Sequence, residues 1–365
     1  MFTPAGTDNK DVHGARERFE LAFADGQIAA WRSGSDENLV DPDGLGPWPI
    51  PLSANWLDDQ SPAPVYDDPS LFASWGPAAA ATQRVIEATP FRVIVVGHWR
   101  FALGTAAPAT ADAENGGAGH DWQYTIYPSG AVYVQVRSAA PPAGWAAPRV
   151  GYALGLDGRR DFQHVAPSAS AAGAAPVPFV LLARAGRERA DLLWTWSEAS
   201  GLERQRALHS ADERRLAMIV GDVPAAPVVE TAHLLRIWPT DIDSAHEAQS
   251  FAGDYRRPSV PAPAAGHIKK DIPGDLDQDG FNEAEGTYEF APDGSALRFE
   301  FNTAGNVCLD PVFRVHDTAG RHCWVYARGR LVKDVGRDVE DNLLFHLGHV
   351  VSTPVNVEVH VAAAE

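Results

Sequence analysis

The stretch DWQYTIYPSGAVYVQVRS (121–138) decides the fold class. Trp122, Tyr124 and Ile126 fall on one face, Pro128-Ser129-Gly130 supply a turn, and Val132, Val134 and Val136 share a face on the return. A period of two broken by turn residues predicts an antiparallel hairpin with one buried face. The same pattern spreads outward from it. RFELAFADGQIAAWRS (18–33) places Phe19, Leu21 and Phe23 on one face and turns at Asp25-Gly26, again a hairpin. FRVIVVGHWRFAL (91–103) reads as a long, mostly buried strand, and further strands are predicted over 150–156, 177–184, 191–197, 215–221 and 233–239. Helical periodicity is confined to one short helix over 241–253, with Thr240 or Asp241 as its cap and Gly253 near its end. So many strands with so little helix between them predict an all-β protein and not a βαβ fold. Residues 36–82 hold no sustained period and read as a long ordered loop or short helical turns. Residues 104–119, small and polar, read as a mobile loop.

RRPSVPAPAAGH (256–267) reads as a Pro/Ala linker, after which the pattern restarts and ends on PVNVEVHVA, where Val355, Val357, Val359 and Val361 share a face. The expected architecture is a large antiparallel supersandwich over 1–260 followed by a smaller β-sandwich over 268–365. A chain of 365 residues, 45% hydrophobic and 21% charged, has the composition of a globular protein. Its net charge of −18 argues against nucleic acid or an anionic membrane surface as main partner. No stretch approaches the ~20 apolar residues that span a bilayer. The N-terminal residues lack the apolar core of a signal peptide, so the expected compartment is cytoplasmic, or extracellular or periplasmic if a leader has been removed. Cys308 and Cys323 sit in what read as neighbouring strands, to be joined by one disulfide or left as two buried thiols.

The sharpest motif is GDLDQDGFNEAEG (274–286). Asp275, Asp277 and Asp279 alternate, Gly280 allows a sharp bend and Glu283 adds a carboxylate. Ca²⁺ takes six to eight oxygens at ~2.3–2.6 Å, and alternating carboxylates on a tight loop can converge on one such ion. The twelfth position counted from Asp275 is Gly286 and not glutamate, so the loop is no EF-hand. Its D-x-D-x-D-G-x-x-E spacing resembles the calcium loops of FG-GAP-type repeats. The expected ligands are Asp275, Asp277, Asp279, Glu283 and the Phe281 carbonyl, with Ca²⁺ in a structural role. The alternative is an acidic solvated turn that binds nothing.

The order of the first strands resembles the galactose-mutarotase-like β-supersandwich over roughly residues 15–260: an opening hairpin, a strand entered through Thr89-Pro90, then a Tyr-rich strand closing on Tyr127-Pro128-Ser129-Gly130. That fold recurs in polysaccharide lyases, which act on uronic acids with a carboxylate neutraliser, a base and an acid. The resemblance implies His98, Arg100, His120 and Tyr124 as a catalytic set, against the plainer reading of His98 as a core histidine and Arg100 as a surface strand residue. Gly97 beside His98 marks a place where something approaches the backbone closely. Loop tryptophans Trp48, Trp56, Trp75 and Trp145 are candidates for stacking on sugar rings, whereas Trp194, Trp196, Trp238 and Trp324 lie in strand patterns and are expected inside. The functional expectation is a calcium-stabilised carbohydrate-binding or accessory protein whose partner is a polysaccharide or oligosaccharide. The alternatives are a polysaccharide lyase and a structural or adhesive β-module.

Overall fold

The computed structural model describes residues 19–24, 26–33, 38–40, 45–52, 78–101, 119–139, 149–157, 162–166, 179–184, 192–209, 215–224, 226–237 and 245–362, less 304, 306 and 349. Strand accounts for 59% and helix for 6%, which fixes the class as all-β. The decisive hairpin forms as its alternation dictates: Gly119–Ile126 pairs antiparallel with Ala131–Ala139, with Trp122 opposite Val136 and Tyr124 opposite Val134. It lies inside an eight-stranded sheet running Ala78–Ala88, Val93–Phe101, Gly119–Ile126, Ala131–Ala139, Val228–Ile237, Leu192–Trp196, Phe179–Arg184, Phe162–Ala166. A four-stranded sheet of Arg204–His209, Arg215–Pro224, Arg149–Asp157 and Trp48–Leu52 shares its core. Trp122, Tyr124 and Val134 from the larger sheet meet Trp48, Tyr152 and Met218 from the smaller in one apolar cluster.

One whole strand and the start of another lie where the sequence predicted loop. Among the described residues Trp48–Leu52 pairs only with Arg149–Asp157 and so sits at a sheet edge, which is where a strand reading Trp-Pro-Ile-Pro-Leu can survive its two prolines. Ala78–Ala88 is likewise an edge strand, paired among the described residues only with Val93–Phe101. Alanine-rich sequence has little strand preference, so the neighbour's open hydrogen-bonding edge decides its conformation. The helix forms as Ala245–Arg256, three residues further along than its predicted end.

The later strands build a second sandwich. One sheet runs His267–Ile268, Thr287–Ala291, Val312–Val315, Leu343–His346, Val335–Arg337, with Phe281–Asn282 added on Thr287–Ala291. The other runs Ala296–Phe301, Val355–Val361, Cys323–Ala327, Arg330–Leu331. Val355, Val357, Val359 and Val361 all point into the core, as their spacing predicted. The pairing is not wholly antiparallel: Thr287–Ala291 and Val312–Val315 run parallel, because the chain crosses to the facing sheet through Ala296–Phe301 before returning. The disulfide alternative does not form. Cys308 is buried, Cys323 is half-buried, both are free thiols, and they stand on strands of different sheets.

The second core continues across the junction. Phe91, Tyr127, Tyr133, Leu234 and Tyr255 join Phe281, Tyr288, Phe313 and Phe345 in one cluster. The 256–267 stretch is itself tied down, with the Ala264 N–H donating to the Arg298 carbonyl at 2.7 Å. Beside this apolar seam runs a buried ion chain. Arg92 makes two bonds to Glu87 at 2.8 and 3.0 Å and a third to Glu285 at 2.5 Å. Arg314 shares Glu285 at 2.8 Å and grips both oxygens of Glu289 at 2.8 and 2.6 Å. Each guanidinium thus bridges two carboxylates and supplies the opposite charge and hydrogen bonds that buried charge requires.

Candidate metal centre

The Asp-rich loop is built at this seam. Residues Gly274, Gln278 and Gly280 take positive φ (98°, 60° and 101°), coiling the chain so that alternate side chains turn to one side. Backbone N–H groups then fix the acids: Asp275 accepts from Asp279 at 3.2 Å and from Gly280 at 3.0 Å, and Asp277 accepts from Asp279 at 3.2 Å. Glu283 reaches back to accept from the Leu276 N–H at 2.8 Å. Among the described residues, Asp275, Asp277 and Glu283 form a group whose ligand oxygens all lie within 4.8 Å of one another. Two oxygens on opposite sides of an ion at ~2.4 Å are ~4.8 Å apart, so this spacing suits a hard cation bound by oxygen. The group can hold a metal ion.

Three of the four carboxylates predicted as ligands converge in this way. Asp279 is not in the group; its carboxylate turns onto its own loop and accepts the Phe281 N–H at 2.7 Å. The Phe281 ring is buried against Tyr255 and Tyr288 in the second core. Burial pushes the Glu283 carboxyl up to about 7 and that of Asp279 up to about 6, in each case against backbone N–H donors that favour the anion. Asp275 is raised in the same direction by burial.

What sequence reading missed is the clamp around the loop. The second Glu283 oxygen accepts the Ser197 hydroxyl at 3.1 Å, and the Glu283 carbonyl accepts the Tyr255 hydroxyl at 3.2 Å. Tyr127 donates to the Glu285 carbonyl at 2.8 Å, beside the Arg92 bond to its carboxylate. Gly286, at φ +65°, lies so close under the Tyr133 ring that a Cβ there would fall 2.1 Å from a ring carbon. These partners stand some 30 to 190 positions away in sequence, and no local pattern marks them.

The residues implied as a catalytic set are divided by the sheet. Cross-strand register pairs His98 with Asp121, and Trp99 with His120. His98 and Arg100 therefore project from the outer face, where Asp121 binds His98 at 2.8 Å and Arg100 at 2.7 Å. His120 and Tyr124 project from the opposite face into the core, where burial drives the His120 imidazole down to about 3 and the Tyr124 hydroxyl up. Neighbouring residues on one strand point to opposite faces, so His120 and Asp121 cannot serve one side of the sheet together. The close approach at Gly97 is also explained: a Cβ there would lie 2.0 Å from the Gly26 carbonyl oxygen, so the chain's own opening hairpin docks on this strand.

Trp48 is no loop residue free to stack on sugar. It is 4% exposed and packs edge-on against Trp99 and Trp122 at 5.1 and 5.5 Å. Trp56, Trp75, Trp145 and Trp238 lie outside the described residues. Trp194 and Trp196 are buried as expected, but Trp324 is 46% exposed, because the register of its strand turns Val325 inward.

Fold and site together define an all-β protein with a metal-competent acidic loop at the seam between two sheet assemblies. No protein-family model matches the chain, and no curated protein matches it either. Among the described residues no helix is long and apolar enough to cross a membrane.

Proposed function

We propose that this protein is a calcium-stabilised carbohydrate-binding protein in which the ion is structural. The observation that carries the reading is the position of Glu283, which belongs to the acidic group and whose carboxylate also accepts the Leu276 N–H of the loop and the Ser197 hydroxyl of the preceding sheet. An ion held by Asp275, Asp277 and Glu283 fastens the loop and, through Ser197, the sheet that precedes it. The donor set is all hard oxygen, which favours Ca²⁺ over softer transition metals. The Phe281 carbonyl is a further ligand in this proposal, and the likeness of the first strands to the galactose-mutarotase-like supersandwich supplies the carbohydrate expectation. Binding is preferred to polysaccharide lysis because His98 and Arg100 are separated from His120 and Tyr124 by the thickness of the sheet.

The test has two arms. Calcium titration, followed by calorimetry and thermal unfolding, is expected to show saturable binding and a rise in Tm that a chelator reverses. An unchanged Tm between millimolar calcium and chelator overturns the metal assignment. Incubation with uronic-acid polysaccharides is expected to yield no absorbance from unsaturated product; its appearance would establish the lyase reading instead.

A further inference from the structure

We infer that the outward face of the sheet Ala296–Phe301, Val355–Val361, Cys323–Ala327, Arg330–Leu331 is a binding surface for a neutral polysaccharide chain; this locates, and rests on, the carbohydrate reading above. Alternation sends Leu297, Phe299, Phe301, Val325 and the four valines of Val355–Val361 into the core. The other set faces out. Register places Trp324 beside His360, and Tyr326 beside Glu358, with Arg298 on the far side of Glu358 and Leu331 on the far side of Tyr326. The result is an aromatic and apolar strip on the last two strands with a polar strip alongside it.

Trp324 is the anomaly that demands an explanation. Trp31, Trp48, Trp122, Trp194 and Trp196 are each 4% exposed or less, while Trp324 is 46% exposed and Leu331, one strand over, is 53% exposed. An indole left half in water forgoes most of the stabilisation its burial would give. Each ring has an imidazole neighbour: Tyr326 meets His360 edge-on at 5.7 Å, and Trp324 lies tilted beside His322 at 6.4 Å. Flat aromatic faces match the apolar face of a pyranose ring, and the exposed Glu358, Asn356 and His360 beside them offer donors and acceptors for its hydroxyls.

Charge selects the class of sugar. On a chain of net charge −18, this face carries Arg298 and Arg328 against Glu300 and Glu358, which balance. Such a surface gives no advantage to a uronate or sulfated chain, whose recognition needs excess guanidinium. A second copy docking about a two-fold axis through the sheet centre would set Glu358 against its own counterpart, a like-charge contact that disfavours it.

The test uses the full chain in calcium-containing buffer, with neutral hexaoses of glucose, xylose and mannose, and with oligogalacturonate as the anionic probe, read by calorimetry. The parent is expected to bind at least one neutral hexaose. Trp324→Ala and Tyr326→Ala are each expected to weaken that binding by about tenfold or more, the loss of one stacking contact, with Tm unchanged in Trp324→Ala, whose residue is exposed, and slightly lowered in Tyr326→Ala, whose residue is half-buried. Undiminished neutral-glycan binding by both variants overturns this surface and leaves the carbohydrate reading standing. Binding of the anionic probe alone also overturns the surface but not that reading. An absence of binding to every glycan removes both. Self-association of the parent that Trp324→Ala abolishes would make the face a protein interface and overturn the proposal.

Discussion

Replacing Arg314 with methionine removes the centre of the buried ion chain while keeping most of the side-chain volume. Arg314 is 8% exposed and Glu289 is not exposed at all, and the two meet through paired bonds at 2.8 and 2.6 Å. Burial alone would push the Glu289 carboxyl up, but Arg314, with His316, holds it down at about 2 against an ordinary 4.5. At about 1.4 kcal/mol per tenfold change in proton affinity, this corresponds to a stabilisation on the order of 3 kcal/mol at neutral pH. Removing one partner of a buried pair costs about 3–5 kcal/mol by experience with such pairs, the same scale. The pH dependence supplies a sharper signature. With a depressed folded value, the Glu289 contribution is fully present above 4.5 and lost as pH falls from there toward 2. In Arg314→Met burial dominates, the Glu289 value rises above its ordinary one, and the variant recovers stability as pH falls through that raised value. Urea unfolding of both proteins at about pH 7.5 and pH 5, followed by tryptophan fluorescence, is expected to show a deficit of about 3–5 kcal/mol that shrinks at the lower pH. Groups titrating alike in both proteins cancel in the difference. A deficit below about 1 kcal/mol, the scale of a surface pair, or one that grows on acidification, would refute the reasoning.

Three further outcomes are expected. Gly286→Ala forces a Cβ to 2.1 Å from the Tyr133 ring at a φ of +65°, so strain and overpacking together cost about 2–5 kcal/mol; adding Tyr133→Ala should recover the steric part relative to Tyr133→Ala alone, as a double-mutant cycle by chemical denaturation would show. Asp275→Asn and Glu283→Gln should abolish the calcium-dependent rise in Tm and Asp279→Asn should retain it, since Asp279 lies outside the converging group; at calcium about a hundredfold above Kd the lost stabilisation is about 2.7 kcal/mol. His233, wholly buried between Thr231 and Trp194, has its imidazole driven down by burial from 6.5 to about 3. Its neutral form is stabilising at pH above 6.5, and that stability is lost as pH falls toward 3, so His233→Gln should flatten the acid limb of a Tm-against-pH profile; an unaltered limb counts against the assignment.

Local alternation was enough to specify most of the strands. Trp122, Tyr124 and Val134 fall inside because a strand with one buried face must repeat every two residues, and nothing distant is needed to read that. The acidic loop was legible for a similar reason, since glycine and alternating aspartates encode a tight turn with convergent oxygens in a dozen consecutive residues. Edge strands escaped the sequence: Ala78–Ala88 opens on four alanines with little strand preference, and it is a neighbour's unpaired backbone groups that extend the strand through them. Register between strands was equally hidden. Whether His98 and His120 serve one surface, and whether Trp324 is core or surface, depends on which residue stands opposite which, and a shift of one position reverses every answer. The partners that make the acidic loop a seam, Ser197, Tyr255, Tyr127 and Arg92, come from strands, a turn and a helix brought together only by closure of the two cores. The sequence by itself determined the fold class, the alternation within most strands and an acidic loop with carboxylates able to converge, because these follow from short-range geometry. Only the tertiary structure decided what surrounds that loop and which side chains share a face, because long-range contacts form when apolar surfaces find one another and leave no periodic trace along the chain.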